Sequence, residues 1–181
     1  TGAVRWTSAT WEFGVERRDR GVDTSFGMLR DFNGDGFDDA VVSGISTSPF
    51  AMLLYPGSPT GIDERRVVEL PLPPAAADDS RYGQSFSVGD VNGDGLADLA
   101  VGSPYTNPSR MAGSPYEPGR VFLYLGHRTC TLAADEGVYR LADDQTMSNF
   151  GWSVSIGGDF NGDGYSDMVA TGVSNGAQLH L

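Results

Sequence analysis

The amino-acid sequence predicts an all-β fold made of three similar units, each with four short antiparallel strands. A loop rich in aspartate, asparagine and glycine recurs three times within 181 residues, and each copy runs directly into a short apolar segment bounded by glycine. Such segments are typical of buried strands. No part of the chain shows the apolar periodicity of an amphipathic helix. Four short antiparallel strands in each repeating unit describe the blades of a β-propeller.

The strands of each unit are predicted in the order D, A, B and C, with the acidic loop between A and B. The units span residues 1–58, 59–127 and 128–181 of one propeller segment, 1–181. The predicted segments are 4–13, 66–70 and 137–141 for D, 82–89 and 150–158 for A, 40–44, 99–102 and 168–172 for B, and 50–55, 119–126 and 176–181 for C.

Two units depart from this pattern. An aromatic-glycine pair opens strand A at residues 82–83 and 150–151, but a gap-free alignment places 22–23, Val-Asp, at that position of the first unit. The pair at 26–27 lies too close to the acidic loop, so an altered inner strand is expected there. The third unit carries one extra glycine at 157–158, which predicts a β-bulge.

The recurring loop has the pattern Asp-x-Asn-Gly-Asp-Gly-x-x-Asp and begins at Asp31, Asp90 and Asp159. Positions 1, 3, 5 and 9 offer side-chain oxygens and position 7 a main-chain carbonyl, which suits calcium, a cation that takes six to eight oxygens. Glycines at positions 4 and 6 let the chain curl around an ion. The sequence therefore predicts three calcium ions. Their ligands are Asp31, Asn33, Asp35, Phe37, Asp39, Asp90, Asn92, Asp94, Leu96, Asp98, Asp159, Asn161, Asp163, Tyr165 and Asp167.

A metal-free interpretation of the loops is also available, because these residue types favour turns. It explains one copy. It does not explain three copies that keep every donor position, because the crowded carboxylates repel one another unless a cation neutralises them. An EF-hand is excluded, since position 12 is Val42, Val101 or Ala170 instead of a bidentate glutamate.

Composition limits the classes of partner. The net charge of −12 argues against nucleic acid, which requires a basic surface, and three calcium ions would offset half of that charge. No apolar run approaches the roughly 18 residues of a membrane span. The N-terminus does not resemble a signal peptide. If the protein is secreted, its signal peptide is therefore expected to have been removed already.

The aromatic-glycine pairs, the three acidic loops and the segment 99–104, Leu-Ala-Val-Gly-Ser-Pro, resemble FG-GAP repeats. These repeats form the blades of integrin α-subunit propellers and of many bacterial surface proteins. The resemblance implies a calcium-stabilised propeller outside the cell or on its surface. Closed propellers have four to eight blades, so three units predict a piece of a larger propeller or one partner in a homo-oligomeric ring. Unpaired edge strands at either end would promote such association.

The resemblance also places calcium on one face of the propeller and partner-binding loops on the other. A protein or glycan ligand is therefore expected near the long B–C loop of unit two, 103–118. The candidate ligand-binding residues are Tyr105, Arg110, Tyr116 and Glu117. Tyrosine and arginine are enriched at binding hot spots. The alternative is a surface loop held extended by its prolines.

Other functions remain as alternatives to a non-catalytic adhesion module. An enzyme finds little support, because neither His127 nor His180 has a readable triad around it. A carboxylate pair in a secreted glycan-acting hydrolase stays open, since such pairs are set by space. A lectin-like propeller would need exposed aromatic rings, whereas Trp6, Trp11 and Trp152 fall in predicted strands and are expected in the core.

Overall fold

The computed structural model describes residues 30–44, 51–73, 81–104, 119–129, 138–142, 149–172 and 176–180. Within these ranges the chain forms β-strands and one 3-10 turn, Glu64–Arg66, and contains no α-helix. The all-β prediction is confirmed. The strands are β1 (Ala40–Gly44), β2 (Ala51–Tyr55), β3 (Val68–Glu69), β4 (Phe86–Gly89), β5 (Asp98–Ser103), β6 (Arg120–Tyr124), β7 (Val138–Ala142), β8 (Ser153–Ile156), β9 (Met168–Gly172) and β10 (Gly176–His180).

The strands form three antiparallel sheets in which spatial order follows chain order. The first sheet contains β1, β2 and β3, the second contains β4 to β7, and the third contains β8, β9 and β10. In the second sheet, register places Val101 opposite Phe86 on one side and opposite Phe122 on the other. Each sheet is the described part of one blade.

Each of the first two sheets is completed by a strand from the beginning of the following unit. Strand β3 pairs with β2 through Val68 and Leu54, and β7 pairs with β6. The segments predicted as D strands of units two and three therefore lie at the outer edges of the preceding blades. The unit bounds themselves stay a prediction. The leading segment 4–13 and the altered strand near 22–27 lie outside the described residues.

The apolar cores lie between sheets. Leu99 and Val101 face the first sheet, whereas Ala100, between them on β5, faces the third. Side chains of strand β6 also alternate between the two cores. Phe122 packs in the core between the first and second sheets, called the first core, and Val121 packs in the core between the second and third sheets, called the second core. Because both faces of the second sheet are covered, its B strand is a continuous apolar run without alternation.

Close approach of the second and third sheets requires glycine. A Cβ atom on Gly102 would lie 2.1 Å from the carbonyl oxygen of Gly151, and one on Gly119 would lie 2.1 Å from that of Phe150. The aromatic-glycine pair of the third unit thus packs directly against the backbone of the second sheet. Gly151 itself has a φ of +87°, a conformation that L side chains rarely adopt.

The extra glycine of the third unit is accommodated as a bulge. The amide of Gly157 donates to the carbonyl of Asp167 at 3.1 Å, and the amide of Asp167 donates to the carbonyl of Gly158 at 2.9 Å. Two residues of one strand therefore oppose one residue of its neighbour, which defines a β-bulge. This prediction is confirmed.

Candidate functional site

The three acidic loops span residues 31–39, 90–98 and 159–167 and are called the first, second and third loops. The second loop joins β4 to β5 and the third joins β8 to β9, so each closes a β-hairpin. The first loop leads into β1, and the strand predicted before it lies outside the described residues.

The aspartate at position 1 organises the main chain of each loop. In the second loop the amides of positions 4, 5 and 6 donate to the Asp90 carboxylate at 2.7, 3.2 and 2.9 Å. The first and third loops repeat this arrangement around Asp31 and Asp159. Glycine is required at positions 4 and 6, because Gly93 and Gly95 have φ values of +71° and +81°.

The side chains at positions 3 and 5 turn back over the same loop. In the second loop the amide of Asp94 donates to Asn92 Oδ1 at 2.9 Å, and the amide of Leu96 donates to Asp94 Oδ1 at 2.8 Å. Asn92 Nδ2 also donates to Asp94 Oδ2 at 3.1 Å. The third loop has the same bonds. In both loops, hydrogen bonds between residues close in sequence are therefore enough to bring the side-chain oxygens of positions 1, 3 and 5 together.

The aspartate at position 9 is buried and bridges three parts of the blade. Asp98 is fully buried, and its carboxylate accepts hydrogen bonds from the amides of Val91 at 2.9 Å and Gly126 at 2.8 Å. Asp39 is bound in the same way by the amides of Phe32 and Gly57. Position 9 therefore fixes the beginning of the loop to the chain that leaves strand C.

Sequence reasoning missed the two glycine amides that bind position 9. A usable signal was present, because both units end strand C with the pattern tyrosine, any residue, glycine, at 55–57 and 124–126. Gly57 also has no room for a side chain, since a Cβ there would lie 2.3 Å from the carbonyl oxygen of Asp38.

Burial works against ionisation of these carboxylates. The pKa of Asp98 is raised to about 7, chiefly by desolvation. Repulsion from Asp94 and Asp90 raises this pKa further, whereas the hydrogen bonds from the amides of Gly126 and Val91 act to lower it. Desolvation raises the pKa of Asp90 as well. A nearby cation would favour the charged form of both groups and so oppose this effect.

The donor set of the loops fits calcium by its chemistry. All of its donor atoms are oxygens. A carboxylate has about four lone-pair sites, and the Asp94 carboxylate uses two of them to accept hydrogen bonds, so two remain for a cation. In the first loop the buried Asn33 Nδ2 has no hydrogen-bond partner, so the polar groups of that loop are incompletely satisfied. Among the described residues, no three acidic, histidine or cysteine side chains converge closely enough to hold a metal by themselves. Amide and main-chain oxygens at positions 3 and 7 would have to complete any site.

Comparison with known proteins identifies the repeats. Residues 82–124 and 150–178 match the FG-GAP repeat family, and residues 31–101 match the family described as FG-GAP-like repeat. The chain belongs to the FG-GAP repeat proteins. Together with the three antiparallel sheets, this membership confirms that the sheets are blades of an integrin-like β-propeller.

Integrin α-subunits are among the relatives of this FG-GAP chain. It is 34% identical over 155 residues to integrin alpha-PS5 of Drosophila melanogaster, covering 78% of this chain and 14% of that protein. It is 40% identical over 94 residues to mouse integrin alpha-8, covering 52% of this chain and 8% of that protein. The matched region thus spans only a small fraction of the length of these relatives. Within the described ranges, no helix is long and apolar enough to cross a membrane.

The loops of adjacent FG-GAP blades are hydrogen-bonded to each other. The amide of Ala97, position 8 of the second loop, donates to the carbonyl of Asp31 at 2.8 Å. The amide of Ser166, position 8 of the third loop, donates to the carbonyl of Asp90 at 3.0 Å. The three loops therefore form one continuous row, in which each blade supports the loop of the blade before it.

The remaining predicted residues have different outcomes. The four ligand-binding candidates of 105–118 lie outside the described residues. His127 is exposed, and its Nδ1 shares a hydrogen bond of 2.7 Å with the hydroxyl of Thr129. The core location expected for Trp152 is wrong. Trp152 lies in the turn before β8, is only half-buried, and carries the Arg81 guanidinium 5.1 Å above its ring centre.

Proposed function

We propose that this chain is a calcium-stabilised propeller module, located outside the cell or on its surface, that binds a protein or glycan partner and catalyses no reaction. The observation that carries the proposal is the recurrence of one acidic loop at the same place in three FG-GAP blades, with its carboxylates prearranged by the same hydrogen bonds. Similarity to integrin α-subunits supports the extracellular role.

Three calcium ions, one in each loop, would be held by the side chains of positions 1, 3, 5 and 9 and the carbonyl of position 7. When bound, calcium supplies positive charge that offsets the repulsion among the carboxylates. This structural role suits a chain with a net charge of −12. The position-9 carboxylates Asp39 and Asp98 already fix the first and second loops to their blades, so ion binding would be coupled to the stability of those blades.

The proposed partner-binding surface lies at the end of the blades opposite the loops. Strand β5 starts at Asp98, in the second loop, and ends at Ser103, at the other end of the sheet, where β6 begins at Arg120. Arg81 and Trp152 belong to the turns that precede inner strands and stand at that same end. A lectin-like alternative draws support from the half-exposed Trp152 ring, although Arg81 covers one of its faces.

Calcium in all three loops should raise the melting temperature of the chain by about 8–17 °C over a chelated sample, because each kcal/mol shifts the melting temperature of a chain of this size by about 2–4 °C. Binding to the folded state alone stabilises it by mass action, at about 1.4 kcal/mol for each site when calcium is tenfold above its dissociation constant. That constant is expected near 10⁻⁴–10⁻³ M, roughly the extracellular range. Differential scanning calorimetry in calcium, in magnesium and in chelator measures the effect. Equal melting temperatures in all three would contradict the proposal.

A pair of variants assigns this effect to the loops. Asp94→Ala removes a charged ligand of the second loop and should reduce the calcium stoichiometry from three to two in isothermal titration calorimetry. Asp38→Ala is the matched control, because Asp38 is also an exposed aspartate of an acidic loop but stands at position 8, which supplies no predicted ligand. Equal losses in the two variants would indicate diffuse charge effects instead of specific sites.

Partner binding should depend on residues 105–118. The double variant Tyr105→Ala with Tyr116→Ala is expected to weaken binding about tenfold or more, because two hot-spot tyrosines are truncated. The measurement is surface plasmon resonance on immobilised extracellular-matrix proteins, together with a glycan array. Ile62→Ala, in the connection that follows β2 at the loop end of the blades, is the control and should bind normally. Loss of binding in the control alone would place the partner on the calcium-loop face.

A further inference from the structure

Each acidic loop contains an asparagine followed directly by glycine. These pairs occupy positions 3 and 4, at Asn33-Gly34, Asn92-Gly93 and Asn161-Gly162. The main-chain nitrogen that follows an asparagine can attack the side-chain amide carbon, and the approach is easiest before glycine, which has no Cβ to obstruct it. The fold then decides whether such a pair reacts. The asparagine of a fourth pair, Asn175-Gly176, lies outside the described residues.

The second loop holds the groups of this reaction in contact with suitable hydrogen-bond partners. The Gly93 amide, which contains the attacking nitrogen, donates to Asp90 Oδ1 at 2.7 Å. A carboxylate at this distance can take up the proton that the nitrogen loses. Asn92 Oδ1, where negative charge develops during the attack, already accepts the amide of Asp94 at 2.9 Å. A main-chain donor at this distance stabilises such a charge.

The first loop has the same two hydrogen bonds. The Gly34 amide donates to Asp31 Oδ1 at 2.7 Å, and Asn33 Oδ1 accepts the amide of Asp35 at 2.8 Å. The hydrogen bonds around the reacting atoms therefore do not distinguish the first pair from the second. A difference in reactivity between them is expected to come from the freedom of each side chain and its access to water.

Burial separates the two asparagines. Asn92 is exposed, and its Nδ2 donates at 3.1 Å to Asp94 Oδ2, on an aspartate that is exposed as well. Asn33 is only 6% exposed, and its Nδ2 is buried without a hydrogen-bond partner. Both loops are followed by a described blade, so the two side chains are compared at equivalent places in the propeller.

We propose that Asn92 is a site of spontaneous deamidation and that burial protects Asn33. The Gly93 nitrogen bonds to Cγ of Asn92 while its proton passes to the Asp90 carboxylate. The bond from Cγ to Nδ2 then breaks, and Nδ2 takes up that proton and leaves as ammonia. The product is a succinimide ring, which water opens at either carbonyl to give aspartate or isoaspartate. The net change is the consumption of water, the release of ammonia and the exchange of an amide for an acid.

Deamidation changes the second loop in two ways. Both products add a negative charge, and isoaspartate also inserts the side-chain methylene into the main chain. The amides of Gly93, Asp94 and Gly95, which all donate to Asp90, follow the inserted carbon and are displaced from that carboxylate. The isoaspartate form is therefore expected to be less stable than the aspartate form, whose main chain is unaltered.

Peptide mapping by mass spectrometry tests the proposal on the whole chain, incubated at neutral pH in chelator and sampled over time. In the folded chain, Asn92 should deamidate at least about tenfold faster than Asn33, because a buried amide reacts only after local opening. In guanidinium chloride the two rates should be nearly equal, since each pair stands between an apolar residue and an aspartate. The denatured sample thus assigns the difference to the fold. Because calcium is absent, the result does not depend on metal binding.

Two results would overturn the proposal. One is an equal rate at Asn92 and Asn33 in the folded chain. The other is an absence of isoaspartate at residue 92, detected by enzymatic methylation, over a period in which the denatured chain is converted.

Calorimetry of the separated forms checks the effect on the loop, with Asn92→Asp as the reference for added charge alone. The isoaspartate form should melt below Asn92→Asp. Equal melting temperatures would contradict the displacement of the amides from Asp90.

Discussion

Replacing Gly102 with alanine should lower the free energy of unfolding by about 3 kcal/mol or more, the upper range for overpacking a close contact. The new Cβ would lie 2.1 Å from the carbonyl oxygen of Gly151, a main-chain atom that no rotamer change can move. The second and third sheets would have to separate, which would loosen the core that they share. Urea unfolding followed by tryptophan fluorescence measures the loss.

The matched control for Gly102→Ala is Thr171→Ala. Thr171 stands at the same place in the third sheet, four residues after the position-9 aspartate, but no described blade packs against it. There a side chain is already accommodated, so its truncation should change the free energy of unfolding by only about 0.5 kcal/mol. Equal effects of the two substitutions would show that the sheets are not packed as closely as the structure places them.

The loops and strands could be predicted from the sequence because their determinants are local. Position 1 binds amides three to five residues further along the chain, and positions 3 and 5 bind amides two residues further along. The strands next to the loops are short apolar runs bounded by glycine. These are the patterns that sequence periodicity and turn chemistry describe directly.

Contacts between blades could not be predicted in the same way. Ser85 and Val154 are separated by 69 positions in the chain, and nothing in the sequence alone pairs them. The alternation of serine around β4 and β8 indicated strands, but a serine on a strand is equally compatible with solvent. Only the arrangement of adjacent sheets distinguishes the half-buried Ser85 and Ser87, which accept hydrogen bonds from the third sheet, from the exposed Ser153 and Ser155 of the third blade.

The aromatic residues of the two aromatic-glycine pairs differ in their packing and hydrogen bonding, although their sequence positions are equivalent. Tyr82 and Phe150 occupy equivalent positions and are both buried. The Tyr82 hydroxyl is hydrogen-bonded to that of Tyr124, which donates in turn to the carbonyl of Pro71 at 3.0 Å. A buried tyrosine needs such a partner, whereas phenylalanine does not. The two residues are therefore matched to different cores and are not interchangeable.

The location of Trp152 could not be predicted from its hydrophobicity. Its ring was expected in the core, but the turn conformation at Gly151 places it at the end of the blade, before β8 begins. There the Arg81 side chain stacks on it, a contact favoured by the attraction between a cation and an aromatic face. Its partner belongs to a different blade and could not be identified from sequence spacing.

In calcium-free solution, the stabilising contribution of Asp98 should be lost as the pH rises from about 4 to about 7. Its pKa is raised from 3.8 to about 7 in the folded state, chiefly by burial. Because the folded state binds the proton more tightly than the unfolded state, the contribution is complete below the unfolded pKa and disappears as pH passes the folded pKa. A shift of this size corresponds to on the order of 4 kcal/mol.

Calcium should reverse this dependence, because the ion binds the charged carboxylate and competes with the proton. The increase in melting temperature on adding calcium is therefore expected to be larger at pH 7.5 than at pH 5. Asp98→Asn cannot ionise and should flatten the calcium-free pH profile. Asp94→Asn, which removes an exposed carboxylate of the same loop, should retain the profile but move its midpoint to lower pH, because Asp94 no longer repels Asp98. Calorimetry from pH 4 to 8 compares the three proteins. If the wild type and Asp98→Asn gave parallel profiles, the proton would belong to another group, and Asp98 would be an ordinary ionised acceptor for the amides of Val91 and Gly126.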